Sequence, residues 1–260
     1  MATAKDIIIK PIKAAVANRK CKEIHYSGKV VPNSVLHFGV FLHGKLEGVM
    51  QFGSPMDKRK SIALVEGTIW DGMLELNRMA FSDVLPRFSE SRAIGFVIRL
   101  IRKNYPQIKW IQSFSDATAC GDGTIYRASG FLLTSIKENS SIYEFPDGAR
   151  IAVMSLTNGG DQKGRKKACE KYGAIYNSAS MKPFIDIGAK KAKGNMIRYI
   201  YFIDKSYKEK LTVPILPFSM IDEMGAGMYK GVSRDTKANS GDQLESGGAV
   251  PTITLQSIGK

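Results

Sequence analysis

The sequence has few cysteines and no long hydrophobic run. Its three cysteines, Cys21, Cys120 and Cys169, are an odd number at wide spacings, which excludes a disulfide framework and offers no zinc-binding pattern. No apolar stretch approaches the roughly 18 residues that a membrane-spanning helix needs. The apolar run near the N-terminus is too short for a signal peptide. We therefore expect a soluble protein of the cytoplasm that does not associate with membranes.

Acidic residues are scarce relative to basic ones. The 260-residue chain has 38 Lys and Arg against 24 Asp and Glu, a formal net charge of +14. Between residues 158 and 210 there are 13 basic and 5 acidic side chains, so more than half of the positive excess lies in this segment. A focused positive field attracts polyanions, and each neutralised phosphate releases counterions. The alternative is a well-solvated surface without a nucleic-acid partner.

The order of strand and helix patterns predicts an α/β protein. Residues 73–81 alternate like a strand, residues 89–104 carry an apolar stripe at helical spacing with Ser89 as the expected cap, and residues 110–114 form a short apolar run. A parallel strand pair with a right-handed crossover is expected here. We assign residues 1–222 to one domain, with residues 158–210 as its nucleic-acid-contacting part, and residues 223–260 to a flexible tail.

The stretch from Trp110 to Phe131 predicts the active site. It contains a strand, a polar tip, a loop of small residues and a helical turn, an order that places chemistry at the carboxyl end of a sheet strand. Asp116 and Tyr126 are the polar side chains delivered there. Asp116 is either a general base or the cap of a turn, and Tyr126 is either a site phenol or a core aromatic. Cys120 is either a nucleophile or a passive small residue.

Two further groups of polar residues are candidates for binding. On the predicted strand, Glu75 and Asn77 share a polar face, and Arg78 and Arg92 could clamp a phosphate or carboxylate, or else form structural ion pairs. The expected donor or cofactor side consists of Glu75, Asn77, Arg78, Ser91, Arg92 and Ser113. The expected phosphate contacts, which position a nucleic acid rather than read its sequence, are Lys163, Arg165, Lys166, Lys167, Lys190, Lys191, Lys193 and Arg198.

A series of motifs in one order resembles a known family. The motifs are DIIIKPI, HYSG, LHFGVF, LEGVMQFG, LELNRMAF, SESR, SFSDA, GTIYRASGF and RYIYFIDK, and together they resemble the Mom family of bacteriophage DNA-modification proteins over residues 6–217. The resemblance implies a GNAT (N-acyltransferase)-like fold, a mixed, splayed β-sheet flanked by helices. It also implies a transferase that converts adenine in double-stranded phage DNA to an N6-carbamoylmethyl form, protecting the phage genome from restriction in the host cytoplasm.

The same resemblance implies the roles of the site residues. His25, Tyr26, Asp116 and Tyr126 become the catalytic candidates, with His25, Asp116 and Tyr126 as an iron site, and the adenine must be flipped out of the duplex. His25 and Tyr26 lie at a predicted helix-to-loop junction, where the alternative is a capping histidine and a buried tyrosine.

The segment from Arg87 to Arg92 departs from the acyltransferase pattern. It has no glycine and carries Glu90, which would repel a pyrophosphate at a helix start. Acetyl-CoA is therefore a doubtful donor, and the donor is left unassigned. The alternatives are a coenzyme A-dependent N-acyltransferase of a protein or small-molecule amine, and a non-catalytic basic DNA-binding module. A homodimer would suit DNA binding, although no motif demands one.

Overall fold

The computed structural model describes residues 2–118, 121–157, 162–174, 180–229 and 232–233. Two 3-10 helices cover Ala4–Asp6 and Lys205–Lys210. The strands are β1 (Ile8–Pro11), β2 (Ser34–Leu42), β3 (Lys45–Gly53), β4 (Met73–Phe81), β5 (Trp110–Asp116), β6 (Leu132–Glu138), β7 (Ile142–Glu144), β8 (Arg150–Ala152), β9 (Lys190–Lys191), β10 (Asn195–Phe202), β11 (Met228–Tyr229) and β12 (Val232–Ser233). The helices are α1 (Ala14–Ile24), α2 (Lys58–Ile62), α3 (Ser89–Asn104), α4 (Thr124–Ala128), α5 (Val153–Thr157), α6 (Gln162–Tyr172), α7 (Lys182–Asp186) and α8 (Ser219–Glu223).

Seven strands form the main sheet in the order β1-β2-β3-β4-β5-β10-β6. All neighbours are antiparallel except β4 and β5, which are parallel. The β2–β3 hairpin turns at His43 and Gly44, both with positive φ, as a two-residue hairpin loop requires. The α/β class and the mixed sheet flanked by helices are confirmed.

The parallel pair β4–β5 separates partway along its length. Ladder pairing joins Met73 to Trp110 and ends at Glu75 with Gln112. On the other side of β4, Gln51 pairs with Arg78 and Phe52 with Leu76, leaving Asn77 as an extra, bulged residue. A bulge bends its strand and redirects side chains. The sheet is therefore splayed, as predicted, and a gap opens between the carboxyl halves of β4 and β5.

Apolar side chains cover both faces of the sheet. Helix α3 buries Ala93, Val97 and Ile101 with Leu76 of β4 and Ile111 of β5 in the largest cluster. Helix α1 packs its buried face on the side of β3 that carries Val49, because alternate strand residues point to opposite faces. Burial of apolar surface at about 25 cal/mol per Å² holds these helices in place.

A second, smaller unit follows β6. Strands β8, β7 and β9 form a three-stranded sheet, and helices α5, α6 and α7 surround a separate apolar core. That core contains Tyr143, Phe145, Leu156, Ala168, Cys169, Phe184 and Ala189. This part of the chain therefore has its own sheet and its own core. Within the predicted tail, residues 230–231 and 234–260 lie outside the described residues.

The start of α3 differs from the sequence expectation. Ser89 does not cap the helix: its hydroxyl donates to the carbonyl of Pro86 at 2.6 Å, and Phe88 occupies the N-cap position. Phe88 has φ 71° and a 70% exposed side chain. A non-glycine residue in this left-handed region costs about 1–2 kcal/mol, so this segment stores backbone strain beside Glu90.

Substituting Phe88 with glycine is expected to raise the free energy of unfolding by about 0.5–1 kcal/mol. The relief of left-handed strain outweighs the greater freedom of glycine in the unfolded chain, and little apolar burial is lost at an exposed position. Urea denaturation measures the change. The Phe88→Leu variant, which keeps the strain, should show no gain, and a glycine variant less stable than wild type would contradict the prediction.

Candidate functional site

A cavity of about 400 Å³ lies in the gap between β4 and β5. Its volume is within the range of small-molecule sites, about 300–1,000 Å³. The lining residues are His25, Tyr26, Leu76, Asn77, Arg78, Met79, Glu90, Phe114, Ser115, Asp116, Gly121, Asp122, Gly123, Thr124, Ile125 and Tyr126. The gap in the sheet thus brings together residues as distant in the chain as His25 and Tyr126, which are 101 positions apart.

All four predicted catalytic residues line this cavity. His25 is the C-cap residue of α1, where its backbone N–H donates to the carbonyl of Cys21 at 2.9 Å, and Tyr26 follows it. Asp116 is the last residue of β5, and Tyr126 lies in α4. Three separate elements therefore converge on one volume, a juxtaposition that a catalytic site requires.

The Asp116 carboxylate is held at both oxygens. Its Oδ1 accepts from the backbone N–H of Thr118 at 2.9 Å and from the Thr118 hydroxyl, and its Oδ2 accepts from the Tyr26 hydroxyl at 3.4 Å. The residue is only 8% exposed. Asp116 therefore stabilises a turn, as one sequence interpretation proposed, and also places a carboxylate in the cavity wall, as the other did.

Asp122 is a second cavity carboxylate that sequence reasoning missed. Its Oδ1 accepts from the Thr124 N–H at 3.2 Å and the Thr124 hydroxyl at 2.8 Å, the same arrangement as at Asp116. The shared signal is Asp-x-Thr, present as Asp-Ala-Thr and Asp-Gly-Thr within nine residues. An aspartate followed two residues later by threonine favours a side-chain-stabilised turn, which fixes the carboxylate in place.

His25 is a neutral imidazole with an assignable proton position. Its Nδ1 accepts from the backbone N–H of Ser27 at 3.1 Å and lies 2.8 Å from the Ser27 hydroxyl oxygen, which leaves the ring proton on Nε2. Burial, reinforced by the charge of Arg78, lowers the pKa of His25 to about 4. The ring stacks on Tyr26 with centroids 4.3 Å apart. At neutral pH the site therefore holds an uncharged Nε2–H donor.

Tyr126 serves both the core and the cavity. It is 6% exposed and packs against Phe131 and Tyr199 with ring centroids 5.3 and 5.2 Å apart. The preceding loop fits closely: Gly123 has φ 83°, and a Cβ there would lie 2.5 Å from the Tyr199 ring. The glycine thus allows Tyr199 to donate its hydroxyl to the Asp122 carbonyl, which anchors the loop.

Three of the six expected donor-side residues lie in or next to the cavity. Asn77 and Arg78 line the cavity, and Glu75 lies next to them, accepting from Asn77 at 3.1 Å and from Gln112 at 2.7 Å. Burial raises the pKa of Glu75 above its usual value, although these hydrogen bonds and the charge of Arg78 oppose the shift.

The structure does not bring Ser91, Arg92 or Ser113 to the cavity wall. The hydroxyl of Ser91 donates to the carbonyl of Phe88 at 3.2 Å, and Arg92 is exposed on α3. Ser113 is fully buried, and its hydroxyl lies 3.4 Å from the carbonyl of Leu76. From this helix start only Glu90 contributes to the lining, and the donor-binding role of the three residues stays a prediction.

Arg165 is a correction among the predicted DNA contacts. It is 5% exposed, donates to the carbonyls of Leu156 and Ser180, and lies 5.1 Å from the centre of the Phe184 ring. Positive charge in the sequence was read as surface charge, but this guanidinium stabilises the core of the small unit. The Arg165→Met variant should therefore lower the unfolding temperature by several degrees, measured by calorimetry, with Lys166→Met as the control that leaves it unchanged.

The other predicted DNA contacts lie mainly on the small unit. Lys166 and Lys167 are exposed on α6, and Lys190, Lys191 and Lys193 are exposed around β9. Arg198 is half-buried on β10, where its Nε donates to the Thr134 hydroxyl at 3.0 Å, and burial lowers its pKa. The side chain of Lys163 and the whole of Cys120 lie outside the described residues.

The donors around the cavity bear on the iron expectation. His25, Asp116 and Tyr126 supply an imidazole, a carboxylate and a phenol, a nitrogen- and oxygen-rich set that suits iron. Among the residues that the structure describes, no three His, Cys, Asp or Glu side chains are grouped closely enough to hold a metal ion. The tyrosine phenol would therefore have to be the third ligand.

In the described part of the chain, no helix combines the length and the apolar composition needed to cross a bilayer.

The mixed, splayed sheet flanked by helices, with a polar cavity at its split, defines the α/β fold class of this protein. Among solved structures, an acetyltransferase of Bacillus subtilis in complex with CoA is similar with a TM-score of 0.41 and 10% identity, covering 75% of this chain and 98% of that chain. The ribosomal-protein-S18-alanine N-acetyltransferase of Escherichia coli has a TM-score of 0.40 and 12% identity, covering 76% and 94%.

Sequence similarity gives the particular family. The model of the Mom protein family matches residues 6–220. The methylcarbamoylase Mom of Escherichia phage Mu is 33% identical over 215 residues, which cover 82% of each chain. This chain belongs to the Mom protein family, and the predicted resemblance is confirmed.

Proposed function

We propose that this protein transfers a carbamoylmethyl group to the N6 nitrogen of adenine in double-stranded DNA and thereby protects a phage genome from restriction. One observation carries the proposal: in a member of the Mom family, the cavity at the split of the sheet collects His25, Tyr26, Asp116 and Tyr126. The phage relative's name, methylcarbamoylase, supports the nature of the transferred group.

The chemistry of adenine determines what the cavity must supply. The N6 lone pair is delocalised into the ring and the amino group points into the base pair, so the base must be extruded at a cost of a few kcal/mol. Tyr26, stacked on His25 and 50% exposed, offers a ring face on which the extruded base can stack. The buried ring of Tyr126 and the half-buried ring of His25 reduce the access of water to the reacting atoms.

Asp116 is the proposed general base. As N6 attacks the donor carbon, the new N–C bond forms, the bond to the leaving group breaks, and the N6 proton passes to the Asp116 carboxylate. The neutral Nε2–H of His25 can donate a hydrogen bond to the donor without introducing a charge, and Arg78 can hold an anionic part of the donor. The donor itself is not assigned.

Nucleoside mass spectrometry of DNA from cells expressing the protein tests the proposal. A modified deoxyadenosine with the mass of the carbamoylmethyl form is expected, together with resistance of that DNA to restriction cleavage. Unmodified DNA from cells with abundant folded protein would support the non-catalytic DNA-binding alternative. The coenzyme A-dependent acyltransferase alternative, which the GNAT-like fold favours, requires saturable acetyl-CoA binding by calorimetry.

The proposed iron site has its own test. If Asp116, Tyr126 and the Nε2 of His25 in its other tautomer, with Nδ1–H facing the Ser27 hydroxyl, hold iron, the purified protein should contain about one iron per chain by elemental analysis. Tyr126→Phe should lose most of it. When bound, iron would supply a Lewis acid in the cavity.

DNA affinity should depend on the lysines around β9. Each lysine that contacts a phosphate contributes about 0.9 to the slope of log affinity against log salt, so the double variant Lys191→Met and Lys193→Met should lower that slope by up to about 2. The matched control is Arg102→Met with Lys103→Met, at the end of α3 that lies farther from the cavity. Equal slopes for the two double variants, measured by fluorescence anisotropy, would contradict the prediction.

A further inference from the structure

The small sheet carries a basic cleft that lies outside the main cavity. The cleft has a volume of about 590 Å³. Four of its lining side chains are basic and one is acidic, namely Arg150, Lys190, Lys191, Lys193 and Glu144. A concave surface with this excess of positive charge suits a backbone phosphate of DNA.

Arg150 connects this cleft to the segment that holds Asp116. Its Nε donates to Glu144 Oε2 at 2.9 Å within the small sheet, and its Nη1 donates to the backbone carbonyl of Thr118. A guanidinium has five N–H donors. These two bonds therefore leave donors that a phosphate oxygen in the cleft can engage.

Thr118 passes the connection on to Asp116. The same residue whose carbonyl accepts from Arg150 donates its backbone N–H and its hydroxyl to Asp116 Oδ1. The orientation of the proposed base is thus two hydrogen-bonded steps away from a side chain of the basic cleft. A small displacement of a base can cost a large factor in rate, because proton transfer depends on alignment.

A second contact between the cleft and this segment is independent of Arg150. The connection from β9 to β10 passes through Gly194, where a Cβ would lie 2.6 Å from the Ala117 carbonyl oxygen and 2.7 Å from the Thr118 Cα. The next residue, Asn195, accepts at its carbonyl from the Ala117 N–H at 2.8 Å. The lysine-bearing strand therefore packs directly on the backbone beside Asp116.

We propose that Arg150 is a positioning residue that orders Asp116 when the basic cleft binds a DNA phosphate. The proposal rests on the proposed function, since it takes DNA as the ligand. A phosphate bound by Arg150 and the lysines holds the Arg150 guanidinium in place. The guanidinium then holds the Thr118 carbonyl, and Thr118 in turn holds the Asp116 carboxylate. DNA binding and assembly of the catalytic geometry are then coupled.

Hydrogen exchange of the full-length protein with and without a duplex oligonucleotide tests the coupling. In the wild type, saturating duplex should slow exchange of the Ala117 and Thr118 amides by about tenfold. Arg150→Met and Arg150→Lys should both lose this protection, because lysine keeps the charge but lacks the fork that spans Glu144 and Thr118. Lys191→Met should weaken DNA binding yet regain the protection once duplex is saturating.

Modification of DNA in cells provides the second readout. Arg150→Lys should reduce the modified fraction by about tenfold or more while its duplex affinity stays within about threefold of wild type. Full amide protection and full DNA modification in Arg150→Lys would overturn the inference and leave the proposed function intact. The same conclusion would follow if the wild type bound duplex without protecting the Ala117 and Thr118 amides. A wild type that binds no duplex would overturn both. If Arg150→Met fails to fold, Arg150→Lys alone decides.

Discussion

Replacement of Asp116 by asparagine is expected to reduce adenine modification by about 10²- to 10⁴-fold, the usual contribution of a general base. Asparagine has the same shape, and its amide oxygen can still accept both hydrogen bonds from Thr118. It cannot take a proton from N6. The fraction of modified deoxyadenosine, measured by mass spectrometry at matched protein levels, reports the loss.

Asp122 provides the matched control for this experiment. It lines the same cavity and is held by Thr124 as Asp116 is held by Thr118. Asp116 differs in that it also accepts a hydrogen bond from the Tyr26 hydroxyl. Asp122→Asn should keep more than a tenth of the wild-type modification. If Asp122→Asn is inactive and Asp116→Asn is active, the assignment of the base is wrong. Unfolding temperatures of the two variants should agree within a few degrees.

Elements with strong periodicity could be predicted from the sequence. The bounds of β4 and α3 agree with the predicted ones, because β4 alternates apolar and polar residues along its length and α3 carries an apolar stripe at helical spacing. Strands β8 and β9 of the small sheet were not predicted, since they are only two or three residues long and too short to show alternation. The left-handed Phe88 was missed because nothing in the sequence marks a phenylalanine for a glycine-like conformation.

The candidate site was predicted unevenly for physical reasons. Asp116 follows a buried strand, so its position at the sheet edge could be inferred, whereas the contribution of His25 came from the family resemblance and its convergence with Asp116 depends on the split of the sheet. Asp122 was missed because its Asp-Gly-Thr signal predicts a stabilised turn but does not show that this turn faces the cavity. Arg165 was placed wrongly because charge alone does not separate a guanidinium that binds carbonyls from one that meets solvent.

Replacement of His25 by glutamine is expected to reduce modification by about 10²-fold or more, since the oriented Nε2–H donor is lost. The same change should alter the pH dependence of stability. The pKa of His25 is about 4 in the folded protein and 6.5 in the unfolded chain. Between these two pH values the unfolded chain therefore binds more protons. The free energy of unfolding therefore falls as pH decreases from 6.5 to 4.

The size of this pH effect and a variant at a second histidine separate the contribution of His25 to stability from its contribution to modification. At 1.36 kcal/mol per pKa unit, His25 should account for about 3 kcal/mol of the loss between pH 7 and pH 4, and His25→Gln should lack that part in urea denaturation. Burial also lowers the pKa of His37, which bonds to Gln51 at 3.1 Å and does not line the cavity. His37→Gln should therefore change the pH dependence of stability while keeping modification, because His25 lines the cavity and His37 does not.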